Sequence, residues 1–215
     1  MDEYVLILHN FFIDGACADM KGEKGKTCKK KLEQVPKNEF SIHGLWPGKL
    51  NGDFIECGGT LTTDMIAEAK TREADIFNKM NNYWVSYFAS DEDFWIHEYE
   101  KHGYCYSYKH EQDDFVQYFK DAMAFFLDNK FNEFFLKAFP GVEKKTVTIS
   151  KKDLRKIVEA FYPGAYINFI CDNASTKSLS QIYFYFDINY KPYPVPFAFN
   201  PNCGQEEEPI TIIFN

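Results

Sequence analysis

The spacing of apolar positions changes along this chain, and it predicts strands at both ends with helices between them. Residues 4–13 are rich in Val, Leu, Ile and Phe, as β-strands are, and 39–45 form a second short apolar run. The sequence Trp46-Pro47-Gly48 is expected to end that second strand. Apolar residues then recur at roughly helical intervals through the middle of the chain, and the last third is strand-like again.

The predicted elements define a fold class. Helices are expected over 65–82, 91–102, 113–129, 131–139 and 150–161, and later strands over 166–171, 181–188 and 210–214. Thr62, Thr63 and Asp64 are candidate N-caps for the first helix, and Ser150 suits the N-cap of the last one, with Asp153 three residues after it. Helices flanked by strands predict an α+β fold: a single domain over residues 1–215, with a mostly antiparallel sheet packed against several helices.

Composition narrows the classes of function. The chain has 215 residues, 45% of them hydrophobic, which is enough for a sizeable core, and no apolar run approaches the roughly 20 residues of a membrane span. A net charge of −8 argues against a protein that grips long nucleic acids, but it allows an enzyme that binds one or two phosphates. The many aromatic residues are interpreted mainly as core, with base stacking as the alternative. The lysine-rich run 21–31 is either a solvated surface or a local cationic rim.

The six cysteines indicate a compartment. They are scattered without a C-x-x-C pair, which is typical of disulfides in an oxidising environment, whereas zinc sites use closely spaced pairs. Spacing alone leaves their pairing open. The glycosylation sequon at Asn173 agrees with secretion, and the absence of a basic start predicts a mature chain without its signal peptide. A cytosolic protein with six reduced thiols is the alternative.

Two segments hold three of the five histidines: residues 41–47 (SIHGLWP) and 94–105 (FWIHEYEKHGYC). On a helix, His97 stacks on Lys101 and Glu98 stacks on His102, in adjacent rows. We therefore expect one helix face to carry two imidazoles, a carboxylate and an ammonium. The alternative is a solvated helix face, which would not need the aromatic residues interleaved with these groups: Phe94, Trp95 and Tyr99.

The histidine spacing disfavours a metal site. A zinc-binding His-Glu-x-x-His motif places its two ligands four residues apart, whereas His97 and His102 are five apart. Five steps of about 100° turn the two side chains about 140° away from each other on a regular helix. No metal and no other cofactor is therefore expected.

His43, in the first segment, is either a satisfied core histidine or the second half of an acid–base site. If it faces the helix patch, two imidazoles flank one pocket, as in-line phosphoryl transfer requires. Lys101 and protonated His97 would then stabilise the charge that builds up on the phosphate. RNA supplies a 2′-hydroxyl nucleophile that DNA lacks, so RNA is the expected substrate, with Trp46 and Phe94 as the nearest aromatic faces for its bases.

The same two segments resemble the two active-site signatures of the T2 family of ribonucleases, in the expected order and spacing. The resemblance implies that His43 and His102 form the acid–base pair, that Glu98 and Lys101 stabilise the transition state, and that His97 contacts phosphate. It also implies a monomer with an α+β fold that cleaves single-stranded RNA through a 2′,3′-cyclic phosphate. Neither cofactor, membrane nor DNA would take part, base specificity would be low and the pH optimum acidic. The implied location is secreted or endolysosomal and vacuolar.

The resemblance also implies the disulfides Cys57–Cys105, Cys171–Cys203 and Cys17–Cys28. Gly48 stands where many relatives carry a polar residue that selects the base, so base preference stays open. Two competing functions remain. A binding or signalling protein on the same fold would cleave RNA only incidentally, and a metallohydrolase is disfavoured by the histidine spacing.

Overall fold

The structure, a computed structural model, describes residues 4–12, 40–50, 54–87, 89–106, 114–141, 146–171, 177–193 and 203–214. The strands are β1 (Tyr4–Phe12), β2 (Phe40–Lys49), β3 (Thr146–Ser150), β4 (Tyr166–Cys171), β5 (Leu179–Phe186) and β6 (Pro209–Ile213). The helices are α1 (Thr63–Arg72), α2 (Ala74–Tyr83), α3 (Asp91–Lys101), α4 (Asp114–Asp128), α5 (Phe131–Ala138) and α6 (Lys151–Phe161). A single 3₁₀ turn, Gly103–Cys105, follows α3.

The strands form two antiparallel sheets, which confirms the predicted α+β class. The larger sheet has the order β2-β1-β5-β4, so the N-terminal strand pairs with a late one as expected. The smaller sheet pairs β3 with β6. The sequence did not predict β3, because its five residues are too few to show a clear period, and β6 therefore has a partner outside the main sheet.

Strand β2 continues through Trp46 and Pro47 to Lys49, so the expected stop at Trp46 is wrong. Pro47 is tolerated because β2 lies at the edge of the sheet. The Pro47 carbonyl accepts a hydrogen bond from the Ile55 N–H at 3.1 Å, on the side away from β1. The Pro47 nitrogen also points away from β1, so the missing N–H removes no hydrogen bond between β2 and β1.

A β-bulge lies at His43. In the pairing of β1 with β2, His9 is opposite Gly44 and Asn10 is opposite Ile42, so His43 has no residue opposite it. Ile42 before the bulge and Leu45 after it are both fully buried. A regular strand would place these two side chains on opposite faces, since the side-chain period is two. The extra residue therefore shifts the alternation and puts His43 and Trp46 on one face.

The helices agree with their predicted spans except at Glu73. The expected helix 65–82 is in fact two, because Glu73 has non-helical dihedral angles (φ −128°, ψ 40°) and separates α1 from α2. The apolar spacing continues across the break and gives no sign of it. Glu73 also pairs with Lys120 of α4 at 2.9 Å, a contact between distant parts of the chain. The predicted caps are confirmed: Thr62 accepts from the Met65 N–H and Ser150 from the Asp153 N–H.

Aromatic side chains fill much of the core between the helices and the main sheet, as the composition indicated. The largest fully buried side chains are Trp84, Trp95, Tyr87, Tyr118, Tyr185, Phe119, Phe126, Phe131, Phe169 and Phe184. No helix in the described ranges is long and apolar enough to cross a membrane.

Two disulfides join distant segments: Cys57 to Cys105 and Cys171 to Cys203. Both pairings are those that the resemblance implies. The Cys17–Cys28 pairing, the lysine-rich run 21–31 and Asn173 lie outside the described residues.

Candidate active site

Helix α3 carries most of the predicted site residues, and local sequence explains where it begins. The Ser90 hydroxyl accepts a hydrogen bond from the Asp93 N–H at 3.1 Å, and acidic residues in the first turn complement the helix dipole. Its buried positions follow the helical period: Trp95, Glu98, Tyr99 and His102. Glu98 and His102 therefore belong to the stripe that faces the protein interior.

The four titratable groups, which were expected on one helix face, divide between the protein interior and solvent. Glu98 is fully buried and His102 is 6% exposed, whereas His97 is exposed and the Lys101 side chain is 47% exposed. Helical spacing gave the two rows correctly. It could not show that the row of Glu98 and His102 turns toward β2, because that depends on how the helix packs.

A short loop is attached to the C-terminal end of α3. The N–H of Cys57 donates to the Lys101 carbonyl at 2.7 Å and the N–H of Gly59 donates to the Glu100 carbonyl at 3.1 Å. These bonds satisfy carbonyls that a helix end leaves without intrahelical partners. The Cys57–Cys105 disulfide closes the same connection covalently. The loop therefore fixes the position of His102 at the end of the helix.

His43 is held at three points. Its Nδ1 lies 3.0 Å from Oε1 of Gln181 on β5, and its Nε2 lies 3.4 Å from Oε1 of Glu98. The indole of Trp84 donates to the His43 carbonyl at 2.9 Å, which anchors the bulge. The His43 side chain keeps 19% of its surface exposed, so it is not simply a core histidine.

Trp46 lies between the two imidazoles. Its indole N–H donates to Oε2 of Glu98 at 2.7 Å. The His102 ring stacks on the indole with centroids 3.9 Å apart and planes 16° apart, and the His43 ring meets it edge-on at 5.1 Å. Since both rings contact the same indole, the structure brings His43, Glu98 and His102 together. The sequence-based prediction required that meeting of β2 and α3.

Glu98 has unequal oxygens. Oε2 is fixed by the Trp46 indole, whereas Oε1 makes no hydrogen bond within the described ranges and faces Nε2 of His43. A buried carboxylate oxygen without a donor is unfavourable. Glu98 is therefore arranged to receive a proton donor from the direction of His43 or of a bound substrate.

His102 is arranged to be neutral. Its Nδ1 lies 3.4 Å from the Ile55 carbonyl, which favours a proton on Nδ1 and leaves Nε2 as the acceptor. Burial lowers the pKa of His102 below its ordinary value; the Glu98 carboxylate and the Ile55 carbonyl oppose that shift, and the positive charges of His43 and His97 add to it. A neutral imidazole with a bare Nε2 is what a general base requires.

The remaining predicted residues surround this centre. Lys101 extends into solvent with Nζ 4.0 Å from Oε2 of Glu56, and His97 lies one helical turn before it. The Phe94 ring lies 5.7 Å from the His43 ring. Within the described ranges, no group of three His, Cys, Asp or Glu side chains is arranged to bind a metal ion.

Comparison with known proteins identifies the family of this chain. A model of the Ribonuclease T2 family matches residues 3–203, nearly the whole chain. The chain belongs to the ribonuclease T2 family. This match confirms the resemblance seen in the two histidine segments and extends it to nearly the whole chain.

Individual T2 relatives match over part of their length. Ribonuclease Rh of Rhizopus niveus is 28% identical over 162 residues, which cover 70% of this chain and 66% of that protein. A ribonuclease T2-like protein of Emericella nidulans is 34% identical over 106 residues, 43% of this chain and 25% of its own length. The crystal structure of RNase NT in complex with 5′-AMP has the same fold, with a TM-score of 0.66 and 22% identity over 97% of this chain and 98% of that one.

Sequence reasoning on this T2 chain missed two residues of the site. Gln181 and Trp84 hold His43 from positions far along the chain, and neither lies in a signature segment. A glutamine within a strand, or a tryptophan after a helix, has no local pattern that indicates such a contact. Only the pairing of β5 with β1, and of β1 with β2, brings Gln181 near His43.

Proposed function

We propose that this protein is an endoribonuclease that cleaves single-stranded RNA by metal-free acid–base transphosphorylation. One observation carries the proposal: the His43 and His102 rings contact the same indole, with the Glu98 carboxylate between β2 and α3 beside them. Two imidazoles beside one pocket match the needs of in-line displacement at phosphorus, where one proton leaves the nucleophile and another reaches the leaving oxygen.

In the first step His102 is the base and His43 the acid. Nε2 of His102 takes the proton of the RNA 2′-hydroxyl, whose oxygen attacks the adjacent phosphorus. The bond from phosphorus to the 5′-oxygen breaks, and that oxygen takes the proton from Nε2 of His43. The products are a 2′,3′-cyclic phosphate and a free 5′-hydroxyl.

In the second step the roles reverse. His43, now neutral, takes a proton from water, and the water oxygen attacks the cyclic phosphate. His102, now protonated, returns its proton to the departing 2′-oxygen, which leaves a 3′-phosphate. Both histidines are back in their initial states, so no external acid, base or cofactor is consumed.

Three further groups stabilise the transition state in this proposal. Lys101 is exposed at the end of α3 and supplies a positive charge to the phosphate oxygens, and His97 provides a second cationic contact. Glu98, fixed by Trp46 on the buried side, stabilises the positive charge that develops on His102 when it takes the proton. Preplaced charges of this kind favour the pentavalent transition state because they need no rearrangement during the reaction.

Base recognition is assigned to aromatic faces. Phe94 lies beside His43 and is partly exposed, so it can stack on a base next to the scissile phosphate. The His102 ring covers one face of the Trp46 indole, so an RNA base would stack on the part of the indole that His102 leaves uncovered. Stacking discriminates weakly among bases, which supports low base specificity.

An acidic pH optimum follows from the state of each histidine. The lowered pKa of His102 keeps the base neutral at pH values where an exposed histidine is already protonated. His43 must be protonated for the first step, and acidic conditions favour that form. We further propose a monomeric domain over residues 1–215, located in a secreted or endolysosomal and vacuolar compartment, where the two disulfides would persist.

The test is cleavage of a single-stranded oligoribonucleotide at about pH 5 in EDTA, with the ends analysed by mass spectrometry. We expect 2′,3′-cyclic phosphate ends that later become 3′-phosphates, and no cleavage of the all-DNA oligomer. His43→Ala and His102→Ala should each abolish cleavage, whereas His110→Ala, outside the two signature segments, should not. Cleavage that EDTA stops would support a metallohydrolase, and RNA binding without any cleavage would support a binding protein.

A further inference from the structure

We propose that Gln181 is a positioning residue that holds His43 in its doubly protonated form for the acid step. The inference rests on the proposed function of His43 and deepens it. It concerns a residue on β5, outside both histidine segments, that reaches the site only through the fold.

The geometry begins with the bulge. Gln181 pairs with Phe11 of β1, and β1 separates β5 from β2, so an ordinary strand residue on β2 would lie two strands away. The bulge turns the His43 side chain, and its Nδ1 comes within 3.0 Å of Oε1 of Gln181. This hydrogen bond spans 138 positions in sequence and joins the edge strand to the centre of the sheet.

Two acceptor oxygens contact the two ring nitrogens of His43. Gln181 offers a carbonyl oxygen to Nδ1, and Glu98 offers a carboxylate oxygen to Nε2 at 3.4 Å. A neutral imidazole has one N–H and can satisfy only one of them, whereas the imidazolium has two. Oε1 of Glu98 makes no hydrogen bond within the described ranges, so it lacks a donor until Nε2 carries a proton. Only a ring with protons on both nitrogens can therefore donate to both acceptors at once.

The charged surroundings have opposite effects on that form. Glu98 on α3 is the anionic group that faces His43, while His102 on the same helix adds a positive charge when it is protonated. Trp46 and Phe94 contribute uncharged rings, and Trp84 contributes an N–H to the His43 carbonyl. Gln181 adds an acceptor without a charge, which orients the ring and leaves Glu98 as the counterion.

The same hydrogen bond selects the working nitrogen. When Nε2 gives its proton to the 5′-oxygen, the other proton stays on Nδ1, where it is donated to Oε1 of Gln181. The neutral ring therefore keeps a bare Nε2. That nitrogen then takes the proton from water in the second step. Gln181 thus prevents the tautomer that would place the remaining proton on Nε2 and block the return.

Two substitutions at Gln181 give opposite expectations. Gln181→Leu removes the acceptor, so the imidazolium is less favoured and the alkaline limb of the kcat/KM profile should move to lower pH. Gln181→Glu keeps an acceptor and adds a negative charge, so the same limb should move to higher pH. A packing defect would lower activity in both variants without opposite movements of the limb.

The leaving group gives a second readout. For a uridine dinucleotide, kcat should fall roughly 10- to 100-fold in Gln181→Leu, the range expected for one hydrogen bond to a charged group. For uridine 3′-(4-nitrophenyl phosphate), whose leaving group needs no proton, the loss should be much smaller. Gln117→Leu, an exposed glutamine on α4, is the matched control and should leave both rates unchanged.

Nitrogen-15 NMR of the His43 ring separates this proposal from the proposed function. In the wild-type protein at high pH, Nδ1 should carry the proton, and in Gln181→Leu the two tautomers should mix. A wild-type ring protonated on Nε2, or equal losses on both substrates, would overturn the role of Gln181 even in an active ribonuclease. An inactive wild type with Nδ1 protonated would instead refute the proposed function.

Discussion

At the scale of single residues, the site depends on close approach around Trp46. Gly44 lies between His43 and Trp46, and a Cβ added there would overlap both Oε2 of Glu98 and the indole nitrogen of Trp46. Those two atoms form the hydrogen bond that fixes the carboxylate. The glycine in the first signature segment is thus explained by space, since no side chain fits between the carboxylate and the indole.

Gly44→Ala should break the Trp46–Glu98 hydrogen bond and displace Glu98 from His43. We expect kcat to fall by roughly 100-fold or more, because catalytic groups lose efficiency steeply when they move by about 1 Å. Steady-state kinetics on a dinucleotide measure this, with circular dichroism to confirm folding. Gly58→Ala is the control, because a Cβ at that exposed glycine would meet nothing within 4 Å. A Gly44→Ala enzyme with normal kcat would contradict the steric account.

The pH dependence on the acid side should follow His102. In the proposed mechanism this base works when it is unprotonated, so activity should be lost as pH falls through its pKa. The positive charge of His97 helps to lower the pKa of His102. His97→Gln should therefore raise the pKa of His102 and move the acid limb of kcat/KM to higher pH, an effect that shrinks at high salt.

The matched control for that measurement is Lys79→Gln, which removes a positive charge on α2 where Lys79 pairs with Asp75. Its acid limb should coincide with that of the wild type. An unmoved limb in His97→Gln would show that His97 does not act on His102 through its charge.

At the scale of elements, α3 is held at both ends by features of different origin. Its start was predictable from local sequence, because Ser90 and the acidic first turn are near neighbours of the residues they stabilise. Its C-terminal attachment to the loop through Cys57 was not, except as an implication of the family resemblance. The same contrast applies to Glu73 and Pro47. The helix break at Glu73 depends on α4, and the presence of Pro47 in a strand depends on the sheet edge. No short window of sequence contains either context.

Removing the Cys57–Cys105 disulfide should damage the site more than the fold. The double variant Cys57→Ser/Cys105→Ser should lose about 2–5 kcal/mol of unfolding free energy, the usual range for a native disulfide. Its activity per folded molecule should also fall, because the loop no longer fixes His102. Urea unfolding and kcat at a temperature where the variant is folded measure the two effects.

Cys171→Ser/Cys203→Ser serves as the comparison. That disulfide joins β4 to the segment before β6, whereas Cys57–Cys105 joins the loop to the C-terminal end of α3. Its loss should lower stability by a similar amount while activity per folded molecule is retained. Equal losses of activity in the two double variants would argue against a specific role for the first disulfide.

At the scale of the whole molecule, the C-terminal segment is joined to α6 by an ion-pair network. Glu206 pairs with Arg155 at 3.0 Å and with the nearly buried Lys151 at 3.4 Å, next to Cys203 in sequence. Burial alone would raise the pKa of Glu206, but hydrogen bonds and positive charges from Arg155 and Lys151 outweigh it and lower that pKa below its ordinary value. A carboxylate with a lowered pKa stays ionised to lower pH, which suits the acidic optimum proposed for this protein.

Glu206→Gln should destabilise the protein in a pH-dependent way. A carboxylate whose pKa is lowered by folding contributes stability above its ordinary value of about 4.5, and that contribution is lost as pH falls through the folded-state pKa. We expect a loss of about 1 kcal/mol at pH 6, kept small because water screens the 46% exposed side chain. The difference from wild type should vanish near pH 2. Glu207→Gln, whose partner Lys152 is exposed, should have a smaller effect.

The fold class and the proposed acid–base residues were accessible from sequence for different reasons. The period of apolar residues indicated helices between strands, and the two histidine segments matched a family pattern. The burial of Glu98, the meeting of both imidazoles on Trp46 and the reach of Gln181 were not accessible. Each depends on the register between segments separated by tens of residues, and register appears only once the strands have paired.

The β-bulge in β2 also limits how the length of this strand can change in evolution. Deleting His43 or Gly44 would restore a regular ladder and leave Leu45 facing the interior, but it would remove either the imidazole itself or the glycine that leaves room for the Trp46–Glu98 hydrogen bond. Residues of the strand can be substituted one at a time, whereas a change in the number of residues at the bulge removes or displaces a site residue in one step. Insertions and deletions should therefore accumulate in the connecting loops, while the count of residues between Ile42 and Leu45 stays constant across active homologues.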